Sequence, residues 1–290
     1  MDDLSGRVAV VTGGGSGIGR GLALGLAAEG MTVAVADLQA SSAEAVAAEV
    51  EAAGGQAFAL AVDVTSVESL AAAQKEVVAR VGGVNLLCAN AGVLARVGSL
   101  ADHTLEDWEY TLSVNVLGIV KTVDAFLPAL RASAPDAHVV NTASLGGLLA
   151  EVQAPVGAYV ASKYACVGYS EMLRAELASE GIGVSVLCPG MVASNLLGTS
   201  SENRPEAFGA QAAPQLATGE GEGGGAPPSE WFMPAERVGP IVVRAIRANR
   251  LHVLTHPQAK RLVEERFRAM LADFDFAAEG RAADARGEEG

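Results

Sequence analysis

The stretch VVTGGGSGIG, Val10 to Gly19, decides the fold. It sets five glycines among the seven residues from Gly13 to Gly19, directly behind the apolar run Val8-Ala9-Val10-Val11. Glycine is costly to order, so glycine this dense needs a physical reason. A flexible linker would follow polar residues. This stretch follows what reads as a buried strand, and the segment after it, Arg20 to Glu29, reads as a helix. Strand, glycine turn and helix N-terminus together present backbone N–H groups to a phosphate. The common dinucleotide fingerprint G-x-G-x-x-G is absent from the stretch; the spacing is T-G-x-x-x-G-x-G, with Thr12, Gly13, Gly17 and Gly19.

Outward from this turn, apolar strand-like runs recur at Thr32–Ala36, Ala57–Val62, Val84–Ala89, His138–Asn141, Val184–Cys188 and Leu251–Leu254. Helical patterns alternate with them at Gly17–Glu29, Ser41–Ala53, Ser66–Val81, Leu105–Ala132, Gly157–Glu180 and Ala235–Asn249. Such alternation with unbroken apolar strands predicts an α/β fold: a doubly wound parallel sheet of about seven strands with helices on both faces. The chain of 290 residues reads as a single domain. The polar, turn-rich stretch Ser194–Pro234 breaks the pattern and reads as a lid loop, mobile in its glycine-rich middle, Gly219–Gly225. The charged tail Ala277–Gly290 reads as frayed.

Composition narrows the class. Half the residues are apolar and net charge is −14, which argues against nucleic acid as a partner and offers no basic patch to anionic lipid. The acidic start, Met1-Asp2-Asp3, does not read as a signal peptide, and no apolar run is read as long enough to span a membrane. Cys88, Cys166 and Cys188 form no C-x-x-C and read as free thiols in a reducing cytoplasm. His252 and His256 have a helical ligand spacing, but they sit on a strand-like run before Pro257, so no metal site is expected.

Ligands of open parallel sheets bind beyond the carboxyl ends of the strands. The second strand ends at Asp37, where a carboxylate can accept hydrogen bonds from both adenosine ribose hydroxyls and repel a 2′-phosphate. The third ends at Asp63-Val64, suited to the adenine edge, and the fourth runs into Asn90-Ala91-Gly92, where small residues admit a cofactor. The fifth ends at Ser144. Tyr159 and Lys163 then stand one helical turn apart on one face. A free tyrosine, with a pKa of about 10, is a poor acid or base near neutrality. A neighbouring ammonium favours the phenolate, so such a tyrosine can take a proton from an alcohol while hydride leaves for nicotinamide. Ser144 can hold the same substrate oxygen, and Asn115 can continue a proton path through water.

In order and spacing, TGGGSGIG, Asp63-Val64, the NAG of Asn90–Gly92, Asn115, Ser144, the YVASK of Tyr159–Lys163 and Pro189-Gly190 resemble the short-chain dehydrogenases/reductases from about Leu4 to Thr255. The resemblance implies a Rossmann-type fold and the catalytic set Asn115, Ser144, Tyr159 and Lys163. It also implies NAD held by Gly13, Gly15, Ser16, Gly17, Ile18, Gly19, Asp37, Leu38, Asp63, Val64, Asn90, Ala91, Gly92, Tyr159 and Lys163, with Pro189, Gly190, Val192 and Ser194 at the nicotinamide. Ala89 and Ser194 depart from the family pattern, which more often has Asn and Thr there. The C-terminal LHVLTHPQAKRLVEERF is similar to the ending of a subset that acts on benzylic alcohols of lignin-type aromatics.

The expected activity is hydride transfer between NAD and an apolar or aromatic secondary alcohol or ketone. Asp37 and Ser16 argue against the alternative, an NADPH-dependent 3-oxoacyl or other ketone reductase; a non-catalytic dinucleotide sensor has no need of the Ser-Tyr-Lys set. Leu196, Leu197, Phe208, Trp231 and Phe232 are expected to close over the substrate, although Trp231 and Phe232 would equally serve to anchor the next helix. The helical patterns at Leu105–Ala132 and Gly157–Glu180 are apolar on more than one face, the second through Ala158, Val160, Ala165, Val167 and Leu173. That and the resemblance imply a homotetramer or homodimer.

Overall fold

Every strand carries β-branched or small apolar residues that can be buried on both faces, and the sheet is built accordingly. The computed structural model describes residues 1–150, 155–209 and 231–287. Strands β1 (Val8–Thr12), β2 (Thr32–Asp37), β3 (Gln56–Ala61), β4 (Leu86–Ala89), β5 (His138–Thr142), β6 (Gly183–Cys188) and β7 (His252–Leu254) form one sheet in the order β3-β2-β1-β4-β5-β6-β7. All its pairings are parallel, with Val10 between Ala34 and Leu87. The order reverses between β1 and β4, and that switch point places the ligand crevice at the carboxyl ends of these two strands.

Two apolar layers cover the faces. On one, Leu22 and Leu26 of α1 (Gly17–Ala28), Val46 of α2 (Ala40–Ala52) and Ile246 of α8 (Val238–Arg247) pack on the sheet. On the other lie Val77 of α3 (Val67–Val81), Val123 and Phe126 of α5 (Gly118–Ala132), and Val167 and Leu173 of α6 (Gly157–Leu177). Cys88, Cys166 and Cys188 are buried and unpaired, and burial pushes the Cys88 and Cys188 thiols up to about 12, so they are packing residues.

The structure departs from the sequence reading in four places. The helix expected over Leu105–Ala132 is α4 (Leu105–Leu112), a π-helical turn at Ser113–Leu117 and then α5. Contrary to expectation, an 18-residue window of this stretch reaches a mean hydropathy of 1.4, enough to cross a membrane by length and composition alone; in the fold its buried side chains pack on the sheet. The expected lid loop opens with a helix, α7 (Leu196–Glu202). Gly219–Gly225, its expected mobile middle, lies outside the described residues. Of the tail expected to fray, residues 277–287 belong to a helix, α9 (Lys260–Gly287), and residues 288–290 lie outside the described residues. Contacts divide the chain into Met1–Thr255 and His256–Gly290, where the sequence reads as a single domain.

Candidate active site

The glycine turn is shaped to leave backbone donors open. Helix α1 begins at Ser16, whose side chain caps no N–H group, and its first turn holds no acidic residue. By contrast Ser66 caps α3, and Thr104 and Asp107 close a capping box on α4. The α1 N-terminus therefore keeps its donors and its positive dipole end for an anion. Gly13 and Gly17 take φ of +61° and +47°, a region that disfavours side chains. At Gly19 space itself forbids one, because a Cβ there would lie 1.9 Å from the Gly13 carbonyl oxygen.

Asp37, at the end of β2, holds this turn in place. Its Oδ2 accepts the Gly15 N–H at 2.9 Å and its Oδ1 accepts the Gln39 N–H at 3.0 Å. Leu38 beside it is half exposed, and Ile18 packs at the edge of the α1 layer. Asn90 ties β1 to β4 and β5: its Nδ2 donates to the Thr12 and Gly13 carbonyls, and its Oδ1 accepts from the Thr142 hydroxyl. The Thr12 hydroxyl accepts the Asn90 and Ala91 N–H groups. Asp63 accepts both the N–H and the hydroxyl of Thr65, and Val64 is buried against Gly118. The dinucleotide the sequence implies fits this set: open donors at a helix N-terminus, a glycine wall and a strand-end carboxylate.

The groups expected to carry the reaction come from the π-helical turn, the end of β5 and α6, on the other side of the switch point. Asn115 lies in the π-helical turn, fully buried. Its Oδ1 accepts the Val93 N–H at 2.7 Å, and its Nδ2 donates to the Val93 carbonyl and to the Ser162 hydroxyl. The extra residue of a π turn re-aims a side chain that a regular helix would point elsewhere. Lys163 is buried at 3 % exposure; its Nζ donates to the Thr142 carbonyl at 3.0 Å and stands 5.4 Å from the centre of the Tyr159 ring. A Cβ on Gly92 would come within 3.4 Å of both Asn115 Oδ1 and Lys163 Nζ, so glycine keeps the space between them clear. Tyr159 and Ser144 are half-buried, and the Ser144 hydroxyl accepts the Gly146 N–H at 3.1 Å.

The segment after β6 forms the far wall. Pro189-Gly190 leads to a short bridge of Val192 with Met233, and Ser194 sits against Gly17. Ser16, Gly17, Ser194, Phe232 and Met233 border a cavity of about 400 Å³. Leu196, Leu197 and Trp231 are half-buried. Phe208 lies on Tyr110, ring centres 5.5 Å apart, and borders a second cavity of about 480 Å³ with Arg96, Asp107 and Arg204. There Arg204 Nη1 donates to Asp107 at 2.8 Å with both side chains buried, which fastens the chain beyond α7 to α4. Burial alone would raise the Asp107 carboxyl, but the Thr104 N–H and the Arg204 guanidinium outweigh it and hold it below the usual range. Thr12, Thr142, Ser162 and Arg204 were not singled out from sequence as site residues. Thr142 and Ser162 flank Ser144 and Lys163 closely enough to have been suspected, whereas nothing local marks Arg204.

Residues 7–205 match the family model described as short chain dehydrogenase. The chain is 35% identical over 195 residues to the probable oxidoreductase EphD of Mycobacterium tuberculosis, but it spans only 32% of that protein's length. It is 29% identical over 271 residues to a C alpha-dehydrogenase of Sphingobium sp., covering 93% of this chain and 87% of that one. Among solved structures, a short chain dehydrogenase/reductase from Burkholderia phymatum in complex with NAD superposes with a TM-score of 0.84 at 32% identity, covering 94% of this chain and 97% of the other.

Proposed function

We propose that this chain, which belongs to the short-chain dehydrogenase family, transfers hydride between NAD and an apolar or aromatic secondary alcohol or its ketone, with Tyr159 as acid and base. The observation that carries this reading is the buried Lys163 ammonium, fixed by the Thr142 carbonyl beside the Tyr159 ring. When bound, the nicotinamide would supply the hydride acceptor or donor. Ser144 holds the substrate oxygen from one side through its hydroxyl. Tyr159 takes the proton from that oxygen during oxidation and returns it during reduction. The Lys163 ammonium stabilises the charge left on the phenolic oxygen, and Asn115 keeps the Val93 backbone and the start of α6 in register with it.

Support for NAD over NADP comes from Asp37, whose fixed carboxylate would accept the ribose hydroxyls and oppose a 2′-phosphate. Support for an apolar substrate comes from Phe232 and Met233, which line the cavity beside Ser194, and from the likeness to a C alpha-dehydrogenase. The setting proposed is a reducing cytoplasm and a homodimer or homotetramer paired through α5 and α6. Ala158, Val167 and Leu173 of α6 prove buried in the chain's own core, which leaves Ala165 and Met172 exposed for such pairing. The test is nicotinamide absorbance with a panel of secondary alcohols. Turnover of 1-phenylethanol-type alcohols with NAD, above that of short polar alcohols, is expected. Faster turnover with NADP at equal concentration, or none with any alcohol or ketone, refutes the reading.

A further inference from the structure

The peptide plane that joins Pro189 to Gly190 is held at both of its polar groups. Inside the sheet β6 bonds to β5 on one side and β7 on the other. Towards β5 the Leu187 carbonyl accepts the Ala143 N–H at 2.7 Å, and two residues on the Pro189 carbonyl accepts the Leu145 N–H at 2.8 Å. Leu145 is the residue after Ser144. Towards β7 the Val186 N–H donates to the Leu251 carbonyl at 2.7 Å, and the last strand pair is Cys188 with Leu254. Just beyond that pair a side chain takes over: the Gly190 N–H donates to the Thr255 hydroxyl oxygen at 3.2 Å. Thr255 is buried, at 4 % exposure, which shields the bond from bulk water. A glycine on one side of the plane offers little steric resistance to its rotation, so these two hydrogen bonds set its orientation.

The next residues are fixed in turn. The Met191 carbonyl accepts the Met233 N–H, and the Ala193 N–H donates to the Met233 carbonyl, both at 2.9 Å. The bonds of this parallel bridge come from the residues either side of Val192, so Val192 turns its own N–H and carbonyl to the opposite side. A donor and an acceptor on one residue are the complement of an amide such as the nicotinamide carboxamide. Their position depends on the peptide plane two residues earlier.

We propose that Thr255 is a positioning residue for the cofactor: its hydroxyl sets the Pro189–Gly190 plane and, through it, the place of Val192 against the nicotinamide end of the dinucleotide. The inference rests on the NAD-binding reading above. Its effect is one-sided. Asp37 ends β2 and Thr255 follows β7, near opposite edges of the sheet, so the adenosine half of the cofactor is held by groups that Thr255 does not position.

The test titrates the full chain with two ligands by calorimetry: NADH, and ADP-ribose, which lacks only the nicotinamide. Thr255→Val removes the hydroxyl at nearly constant volume. It is expected to weaken NADH binding about tenfold, the scale of one neutral hydrogen bond, and to leave ADP-ribose binding unchanged. Thr255→Ser keeps the oxygen and should recover most of the NADH affinity. Thr255→Cys keeps a weak acceptor and should fall between serine and valine, which decides the matter if the valine variant does not fold. Far-UV circular dichroism and ADP-ribose binding show which variants fold. Equal loss of both ligands, loss of neither, or a serine variant no better than the cysteine one would make Thr255 an ordinary core residue and overturn the proposal. A wild type that binds neither ligand overturns the NAD reading and this proposal together, whereas wild-type NADH binding that valine and cysteine leave intact overturns this proposal alone.

Discussion

Replacing Asp37 with serine separates two jobs that the structure gives to one carboxylate. One oxygen is held by the Gly15 N–H at 2.9 Å and the other by the Gln39 N–H at 3.0 Å. Each oxygen keeps a further lone pair, and those are what the proposal assigns to the ribose hydroxyls. A hydrogen bond to a charged group contributes about 1.5–3 kcal/mol, or roughly one to two decades of binding. Losing two such bonds, partly replaced by the serine hydroxyl, should lower kcat/KM for NAD about 100-fold. Removing the negative charge should raise kcat/KM for NADP about tenfold, since like charges at hydrogen-bonding range oppose each other by more than 1 kcal/mol. The glycine turn loses its anchor as well. Its part-buried N–H groups should cost about 1 kcal/mol, a fall of about 2–4 °C in Tm.

The assay is steady-state kinetics with both cofactors on wild type and variant, beside a thermal scan. Asp37→Asn is the internal control, because its one carbonyl oxygen can keep only one of the two backbone bonds. It should fall between wild type and Asp37→Ser in both cofactor ratio and Tm. An Asp37→Ser enzyme with an unchanged NAD-to-NADP ratio would refute the assignment, and so would a wild type that prefers NADP.

Tyr159→Phe removes only the hydroxyl, so NADH binding and Tm should hold while kcat falls at least about 100-fold; near-normal turnover would sink the mechanism. Gly19→Ala would ordinarily stabilise a helix, but its Cβ would lie 1.9 Å from the Gly13 carbonyl, so Tm should drop by several degrees and NADH binding weaken, as calorimetry and titration would show. Among the described residues Arg204→Met leaves the buried Asp107 with only the longer 3.5 Å ion-pair contact to Arg96 and should cost about 2 kcal/mol by denaturant unfolding, with Asp107→Asn/Arg204→Met less destabilised than Arg204→Met alone. Burial, with smaller contributions from the N-terminus and Arg174, holds His138 down at about 3. The unfolded chain, with an ordinary His pKa of about 6.5, therefore takes the proton first as pH falls. The His138 contribution is full above about pH 6.5 and is lost towards its folded value, so Tm should fall less on acidification in His138→Gln than in wild type.

The sheet was legible because its central strands, such as β1, β4 and β6, are buried on both faces and so read as mostly apolar runs, whereas the edge strands β3 and β7 are exposed at their ends. The strand boundaries agree to within two residues, and β3, at the sheet edge, begins one residue before its apolar run, at exposed Gln56. What periodicity could not reveal is the π turn at Ser113–Leu117, since one inserted residue does not disturb an apolar pattern that is already diffuse. Helix α7 was obscured for a different reason. Its sequence, LLGTSSE, is polar and contains a glycine, so its propensity is low. It forms because Ser200 is buried, accepting the Leu94 N–H and, through its carbonyl, the Tyr110 hydroxyl. The tail reads as frayed from its charge and alanine content, yet alanine is the strongest helix former, and the Lys260–Glu264 and Arg261–Glu265 pairs, each four residues apart, support the helix.

In the site, residues that touch a ligand announce themselves by type, whereas residues that hold them in position do so only through the fold. Tyr159, Lys163 and Ser144 stand out because few structural roles need that combination. Thr12 and Thr142 do not, because threonine at a strand end is ordinary. Yet the Lys163 ammonium is aimed by the Thr142 carbonyl, and Thr142 in turn donates its hydroxyl to Asn90, which holds the Thr12 and Gly13 carbonyls. The glycine turn and the lysine are thereby joined through one side-chain amide across β1, β4 and β5. That chain of contacts runs between residues up to 151 positions apart, from Thr12 to Lys163, so no local pattern could have shown it. It also makes Asn90 a coupling point between the proposed cofactor cradle and the proposed proton-transfer groups. A change there should therefore disturb the two together, whereas a change at Asp37 or Tyr159 should disturb one and spare the other.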